Sequence, residues 1–516
     1  MSALAANPAT DNTLAELERC CRLELAQRPD DAEALSLLGM ALQKQGRADE
    51  ALAVSQRAAT LAPRNWLAHY TAAQCLATSA QVGAAIVHLR EASAIDPRHR
   101  ECAQLFIALL LAHEGIDDAA EALLAHRQHT GQSTMLHLGE VHGILEWAQH
   151  HGAPANILGE CEEIPFVEPL VWGQAAAPRA RAAVIGNTPF VAELSEALVF
   201  SNSGLILMPD GSILHDCGGH PEYGHLVDYK YETAVALQAP RKLLLDLAHY
   251  EFHQIDGGIW LGGLASNGYG HWLPEFLPKL QCLQQHPDFA ALPIIVDADM
   301  PASHFEHLAR LAGNPLLRLP KGAAFRCSRL LVAPSPTFYP VRLFPNQLPP
   351  NRTGALSPRA MRFIRDAARP TQPTAQGPER VFLGRRDMQW RRLANEAEIS
   401  AWLATQGFVT IYPENLSLAE QIALFRSARY LVTPNGSALL NLMFAEPGIK
   451  VLVLSQAQLF NWGNFQGPME AMGHEPLFLC GPASETGSAK HDDYHIPLAS
   501  LQQALADMGL PGVSRP

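Results

Sequence analysis

The residues best suited to chemistry in this 516-residue chain are Arg385 and the triplet Asn435-Gly436-Ser437. The triplet follows the β-rich run Tyr430–Val432 and precedes a helical run, so the first N–H groups of that helix would point at a ligand above Gly436. Gly436 leaves room for a ligand to approach the backbone. Arg385 follows another β-rich run, and its planar guanidinium can bind two phosphate oxygens at once. These residues predict a site for an anion such as phosphate.

Ordinary structural roles compete with this interpretation. The triplet could be a strand-to-helix turn with Ser437 as the N-cap, and Arg385 could form a surface ion pair with Asp387. Glu414, at the end of a neighbouring run, could accept hydrogen bonds from ribose hydroxyls. Asn441 could belong to the same donor site or hold the backbone of the turn. Asn435, Gly436, Ser437, Glu414 and Asn441 therefore join Arg385 as candidate binding residues.

A second candidate pair is His271 and Glu275, which are four residues apart on one helical face. A carboxylate beside an imidazole raises the pKa of the imidazole and fixes its tautomer, and both effects suit a general base. The structural alternative is a histidine that braces the start of the helix beneath Trp272. Because the chain has 22 histidines, the surrounding stretch Asn267–Glu275 is what distinguishes His271.

The elements that would position these residues alternate between strand and helix. Four short β-rich runs and three helical runs fill the stretch from Val381 to Ser455, which predicts a parallel sheet with right-handed crossovers. Ligands bind such sheets at the carboxyl ends of the strands. An earlier α/β segment has strands near 258–262, 292–296 and 330–332, with helices over 269–285 and 304–313. We predict a hairpin at 205–214, around Pro209-Asp210-Gly211, and a helix over 136–150.

An internal repeat occupies the first quarter of the chain. Pro29, Pro63 and Pro97 are 34 residues apart, with small and apolar residues at matching offsets between them. This period resembles the tetratricopeptide repeat, in which paired helices stack into a solenoid. The repeats could bind a partner protein, or they could brace or dimerise the rest of the chain.

Composition limits the possible partners and the location of the protein. A formal charge of -13 argues against a nucleic-acid partner. The chain has no apolar run of about 18 residues and no basic-then-apolar leader, so we expect neither a membrane span nor a secretory signal. Nine scattered cysteines without a C-x-x-C pattern suggest reduced thiols and a cytoplasmic location.

The motifs around the candidate residues resemble glycosyltransferase family 61. The first group of matching motifs comprises Asn267-Gly268-Tyr269-Gly270-His271-Trp272-Leu273-Pro274-Glu275 and Leu277-Pro278-x-Leu280. The second comprises Arg385-Arg386-Asp387, Arg391-x-Leu393-x-Asn395-Glu396, Pro413-Glu414-x-Leu416-Ser417-x-x-Glu420-Gln421 and Gly436-Ser437-Ala438-Leu439-x-Asn441-x-x-Phe444. Many members have His where this chain has Asn435, so the role of that histidine is not carried over.

The resemblance implies an inverting sugar transfer from a nucleotide-sugar donor to a glycan or protein acceptor. Because Arg385 and the Gly436-Ser437 turn already offer a phosphate site, we expect no obligatory metal. It also implies a GT-B-like α/β region with two Rossmann-like lobes, here preceded by an all-α tetratricopeptide-repeat solenoid. The alternative is a non-catalytic repeat scaffold whose glycosyltransferase domain has degenerated into a binding module. The expected domains are the repeats at 1–130, a connector and accessory β region at 131–240, an acceptor-side lobe at 241–366, a linker at 367–378 and a donor-side lobe at 379–516.

Two other groups of acidic residues have simpler explanations. Asp297-Ala298-Asp299 follows an apolar strand, as does the metal-binding Asp-x-Asp of GT-A enzymes. An ordinary loop and helix start come next, so we expect no metal there. Glu420 could contact ribose, but the spacing Ser417-Leu-Ala-Glu420 favours a capping box at the start of a helix.

Overall fold

The computed structural model describes residues 8–174, 179, 181–217, 220, 224–339, 356–369, 377–385, 391–456, 463–483 and 492–512. The chain divides into two compact units. The first comprises Met1–Glu140 and Val235–His249, and the second comprises Val141–Ala234 and Tyr250–Pro516. In the described residues, no helix combines the length and the apolar character needed to cross a bilayer.

The first unit is a stack of helices that repeats every 34 residues. Its described helices are Pro8–Gln27, Ala32–Lys44, Ala48–Leu61, Trp66–Thr78, Val82–Ile95, Arg100–His113 and Ile116–Thr130. First helices of each pair begin at 32, 66 and 100, and second helices begin at 48, 82 and 116. The predicted tetratricopeptide-repeat organisation of this region is therefore confirmed.

Each first helix begins where a side chain caps its free N–H groups. Asp31 accepts hydrogen bonds from the amides of Glu33 and Ala34. Asn65 and His99 cap the two equivalent helices. Because these caps also recur every 34 residues, the sequence period fixes where each repeat starts.

The first unit ends in a small antiparallel sheet. Leu136–Glu140 pairs with Lys242–Asp246, which pairs with Val235–Ala239. Our prediction of one helix over 136–150 is wrong for its first half, since strand Leu136–His142 precedes helix Ile144–His151. Leu136 and Leu138 are two positions apart, which is the period of a strand, and Gly143 separates this strand from the helix.

The second unit contains two main sheets, of which the first is mixed. Its strands are, in spatial order, Leu316–Leu319, Ile294–Asp297, Glu251–Trp260, Ala323–Val332, Phe190–Phe200, Ile206–Leu207 and Ile213–Leu214. The first four strands are parallel to one another. Each of the last three is antiparallel to the strand before it, and the final two form the predicted hairpin. Ala155–Ile157 also pairs with Phe190–Phe200, and Glu163–Val167 pairs separately with Arg181–Ile185. Helices Ala302–Leu311 and Pro358–Ala367 belong to this half of the unit.

The second sheet is parallel throughout, as predicted. Its strands are, in spatial order, Val409–Ile411, Arg380–Leu383, Tyr430–Pro434, Lys450–Gln456, Glu475–Gly481 and Leu170–Val171. The accompanying helices are Glu396–Thr405, Leu418–Ser427, Gly463–Ala471 and Leu498–Asp507. The chain leaves strand 380–383 to one side and returns on the other at 430–434, so ligands are expected at the carboxyl ends of these two strands.

One hydrophobic core joins the two halves of the second unit. It contains Ile259 and Trp272 from the first half together with Val381 and Phe444 from the second. Residues 370–376 of the predicted linker lie outside the described part of the chain.

Candidate active site

Arg385 and Asn435 follow the two adjacent strands at which the sheet order reverses. The Arg385 guanidinium donates through Nη1 to the carbonyl oxygen of Asn435 at 2.9 Å. Its backbone N–H donates to the two carboxylate oxygens of Glu396 at 3.1 and 3.3 Å. Arg385 is therefore fixed both at its backbone and at the tip of its side chain, across the gap between the two strands.

Burial and neighbouring charges both act on the Arg385 guanidinium. Burial and then repulsion from Arg391 lower the pKa of Arg385, while Glu396 and Glu414 act in the opposite direction. None of the ion pairs found among the described residues includes Arg385. Asp387, the alternative partner, lies outside those residues, as does Arg386. Two nearby guanidinium groups that repel each other favour an anionic ligand.

Gly436 lies directly under the Arg385 guanidinium. A Cβ added to Gly436 would lie 3.2 Å from Nη1 of Arg385. Its φ of 173° is ordinary extended backbone, so the glycine is needed for space rather than for conformation. Gly436 is also the N-cap of the 3-10 helix Ser437–Phe444 and provides no capping side chain. The alternative that Ser437 is the N-cap is therefore wrong, and the first N–H groups of this helix have no side-chain cap.

Asn435 and Asn441 both have buried side chains. Nδ2 of Asn435 donates to Oγ of Ser455 at 3.2 Å, which ties Asn435 to the neighbouring strand. Oδ1 of Asn441 accepts a hydrogen bond from the hydroxyl of Tyr269. Nδ2 of Asn441 donates to Gln421 at 3.2 Å. Asn441 thus contacts two side chains, not the backbone of the turn as one hypothesis held.

The two glutamates after strand Val409–Ile411 differ in environment. Glu414 is exposed in the short helix Pro413–Asn415 and attracts the Arg385 charge. Glu420 forms the predicted capping box with Ser417 at the start of helix Leu418–Ser427. The capping role of Glu420 is confirmed, and Glu414 remains the carboxylate near the strand end.

His271 and Glu275 are in contact, as their spacing predicts. Nδ1 of His271 hydrogen-bonds to Oε1 of Glu275, with 24% and 14% of the two side chains exposed. The His271 ring also stacks on Tyr339, with centroids 5.1 Å apart. Burial opposes the charged imidazolium, but attraction and hydrogen bonding by Glu275 outweigh it and raise the pKa of His271. With Nδ1 engaged, Nε2 is the nitrogen that can accept a proton.

The helical segment that carries His271 is irregular. A single α-turn at Tyr269–His271 leads into a π-turn at Trp272–Phe276, then a 3-10 turn at 277–279 and a last α-turn ending at Leu283. Pro274 and Pro278 lack the N–H groups that a regular helix needs, which explains the change of pattern. π-turns are frequent at functional sites.

The segment that carries His271 contacts the turn at Ser437. A Cβ added to Gly270 would lie 2.9 Å from Oγ of Ser437. The Tyr269–Asn441 hydrogen bond joins the same two segments. The segment with the candidate base therefore packs against the segment with the candidate phosphate site.

Asp297 has a structural environment. Its buried carboxylate accepts hydrogen bonds from the amides of Asn202 and Gly263 at 2.7 and 2.9 Å and from Ser266 Oγ at 2.7 Å. Its oxygens are thus occupied in holding two loops, at Asn202 and at 263–266, to the end of its own strand. In the described part of the chain, no group of three or more His, Cys, Asp or Glu side chains could hold a metal ion.

Residues 269–452 match the family model described as Glycosyltransferase 61. The chain carries a glycosyltransferase 61 domain. Every candidate site residue lies inside this matched segment, and the match indicates glycosyltransferase activity. No curated protein matches the chain.

Solved structures similar to part of this chain include two of MamA. A MamA RS-1 ArsTM double mutant is 20% identical, with 24% of this chain and 69% of that chain covered and a TM-score of 0.22. MamA 41-end from Desulfovibrio magneticus RS-1 is also 20% identical, with 24% and 71% covered and a TM-score of 0.22.

Sequence reasoning missed three contributors to this site. Glu396 and Arg391 stood in the quoted motifs, but nothing in their spacing indicated that one would hold the Arg385 backbone and the other would lie near its charge. Tyr339 gave no sequence signal, because it reaches His271 from 68 positions further along the chain.

Proposed function

We propose that this protein is an inverting glycosyltransferase that transfers a sugar from a nucleotide-sugar donor to a glycan or protein acceptor. Assembly of surface polysaccharide or another glycoconjugate in the cytoplasm is the proposed setting. The observation that carries the proposal is the packing of the His271 segment against the Ser437 turn. A direct displacement at the anomeric carbon requires a base for the acceptor hydroxyl close to a site for the leaving phosphate.

At the donor end, the pyrophosphate would lie beside Arg385 and the first N–H groups of the helix that starts at Ser437. Arg385 suits this role because it is held in place and forms no ion pair within the described part of the chain. Charge that develops on the leaving phosphate is stabilised by donors already fixed in position. Glu414 is exposed near the strand end and would accept hydrogen bonds from ribose hydroxyls. The buried amide of Asn435 would hold the turn to Ser455, and that of Asn441 would hold the helix after the turn to Tyr269 and Gln421.

At the acceptor end, His271 would remove the proton of the acceptor hydroxyl. As the hydroxyl oxygen forms its bond to the anomeric carbon, the bond from that carbon to the donor phosphate breaks. The proton moves to Nε2 of His271, and the electron pair of the broken bond leaves with the phosphate. Glu275 holds Nδ1 and stabilises the imidazolium that results.

The GT-B arrangement is part of this proposal. Its support is the all-parallel second sheet and the four parallel strands at the centre of the first. The same proposal needs no metal, because fixed cationic and N–H groups can carry the charge of the leaving phosphate. The helical repeats would supply a surface for a protein partner.

A thermal-unfolding screen against nucleoside diphosphates and nucleotide sugars tests the proposed function. A ligand at 100 times its Kd adds roughly 2.7 kcal/mol of stability, which is a readily measured rise in Tm. We expect one nucleotide and its sugars to raise Tm in the wild type and in Arg392→Ala. Arg392→Ala controls for the loss of an arginine near the site. Arg392 lies seven residues from Arg385 and forms an exposed ion pair with Asp493. Stabilisation by no nucleotide would contradict the proposal.

A further inference from the structure

A buried ion pair lies behind the His271–Glu275 pair. Lys279 follows Glu275 by four residues on the same helical segment, and its ammonium contacts the carboxylate of Asp216. The two side chains are only 7% and 14% exposed. Oδ2 of Asp216 also accepts a hydrogen bond from the amide of Ser335 at 3.2 Å. The Lys279 ammonium is therefore anchored to the backbone through Asp216.

Glu275, Lys279 and Asp216 line one cavity of about 60 Å³. Four other titratable residues also line this cavity, and burial favours the neutral form of each. Burial lowers the pKa of His215 to about 4 and raises the pKa of Glu232 to about 7. Burial also raises the pKa values of Cys217 and Tyr229. Asp228 is the remaining acidic residue that lines the cavity. Its carboxylate lies 3.7 Å from the ammonium of Lys230, which serves as its counter-ion.

Nearby cations oppose the effect of burial on the Glu275 carboxylate. Burial raises the pKa of Glu275, while attraction to His271 and then to Lys279 lowers it and Asp216 raises it. The charge of His271 contributes only while the imidazole is protonated, and a general base must begin its reaction unprotonated, when only the Nδ1 hydrogen bond to Glu275 remains. Lys279 is the other cation that favours the Glu275 carboxylate. Because Asp216 holds the ammonium, Lys279 does not displace His271 Nδ1 from the Glu275 oxygen.

We propose that Lys279 and Asp216 are positioning residues that keep Glu275 ionised and in contact with His271, and so keep His271 basic. This inference rests on the proposed role of His271 as the general base. Lys279 touches neither substrate nor reacting atoms in this account. Its effect reaches the acceptor hydroxyl only through Glu275 and His271.

The test is the titration of His271 itself, which does not require turnover. The full-length protein is labelled with 13Cε1-histidine, and the His271 resonance is assigned by its loss in His271→Gln. In Lys279→Met, which keeps the stem but removes the charge, we expect the pKa of Glu275 to rise further, so that Glu275 takes up a proton at a higher pH than in the wild type. The titration midpoint of His271 then moves to lower pH than in the wild type.

Two comparisons make the result decisive. Arg127→Met removes the charge from another largely buried ion pair, with Asp246 at 2.6 Å, and should leave the His271 midpoint unchanged. If Lys279→Met does not fold, the double variant Lys279→Met with Asp216→Asn takes its place, because it leaves no unpaired buried charge. In that variant we expect a smaller shift of the His271 midpoint, also to lower pH. An unmoved midpoint in folded Lys279→Met or in the double variant would overturn the inference. So would an equal shift in Arg127→Met. Since the midpoint is read without turnover, an inactive protein with a shifted midpoint would contradict only the proposed function.

Discussion

At the scale of single residues, the account depends on the chemical state of one imidazole. His271 is held at Nδ1 by Glu275 and stacked on Tyr339, so its orientation is determined from two directions. A histidine that only braced the fold would need neither a raised pKa nor a remaining nitrogen able to accept a proton. The following tests separate these roles.

His271→Ala should lower kcat by about 10²–10⁴ and leave donor affinity nearly intact, because the base acts in the chemical step rather than in donor binding. Donor turnover and donor Kd are measured on the same preparation. A purely structural histidine would give a lower Tm with near wild-type turnover in the protein that remains folded, and that pattern would refute the assignment.

The pH dependence of kcat/KM should follow the raised pKa of His271. The base must be unprotonated, so activity is expected to fall as pH falls through that pKa, above the ordinary histidine value of about 6.5. Glu275→Gln removes the charge that raises the pKa of His271, so the acidic limb of the profile should move to lower pH. An identical limb in both proteins would mean that a different group titrates.

The sequence could predict the His271–Glu275 contact, because residues four apart on a helix are neighbours whatever the rest of the fold does. It could not predict the side-chain contacts of Asn435 and Asn441. Those depend on Ser455, Tyr269 and Gln421, which are brought together only by tertiary packing.

At the scale of elements, the site is built from two turns that touch. The 3-10 helix that begins at Ser437 supplies uncapped N–H groups, and the irregular segment from Tyr269 supplies the base. The sequence predicted a regular helix over 269–285, but Pro274 and Pro278 divide it into four short turns. The position of the segment was thus predictable, whereas its path was not.

Gly270→Ala should disturb both turns at once. The added Cβ would lie 2.9 Å from Ser437 Oγ, so either the serine hydroxyl rotates away or one of the two segments moves, at a cost of up to about 3 kcal/mol. We expect weaker donor binding, measured by titration calorimetry. Gly313→Ala is the control, since a Cβ there meets nothing within 4 Å.

Ser437→Gly removes the hydroxyl that the new methyl group would meet. Adding it to Gly270→Ala should therefore recover part of the lost affinity. Wild-type affinity in Gly270→Ala alone would show that the contact between the two turns does not matter for the donor.

At the scale of the whole molecule, the 34-residue period was the most predictable feature. It is present in the sequence as recurring prolines and capping residues, and each repeat contacts mainly its neighbours. The parallel direction of the second sheet could be predicted from its alternation of strands and helices, whereas its strand order and its last two strands, Glu475–Gly481 and Leu170–Val171, were not predicted. The mixed first sheet was less predictable, because its antiparallel additions join strands that are distant in the chain.

Deletion of residues 66–99 should preserve the solenoid, because it removes one whole repeat and lets Asn65 cap helix Arg100–His113 in place of His99. We expect cooperative unfolding with a lower Tm and unchanged donor binding. Deletion of 66–81 removes one helix and its turn, leaves an unpaired apolar face and should yield aggregated protein. Circular dichroism and size-exclusion chromatography distinguish the two outcomes, and equal behaviour of both deletions would contradict the repeat assignment.

The central claim is that Arg385 binds the donor diphosphate in a site shared with His271. It is tested most directly by the Kd of the nucleoside diphosphate identified in the thermal screen, measured for the wild type, Arg385→Ala, His271→Ala and Arg392→Ala. We predict a loss on the order of 2–4 kcal/mol for Arg385→Ala, the range found when a fixed donor to a developing charge is removed, with near wild-type binding in the other two variants. Wild-type affinity in folded Arg385→Ala would contradict the account.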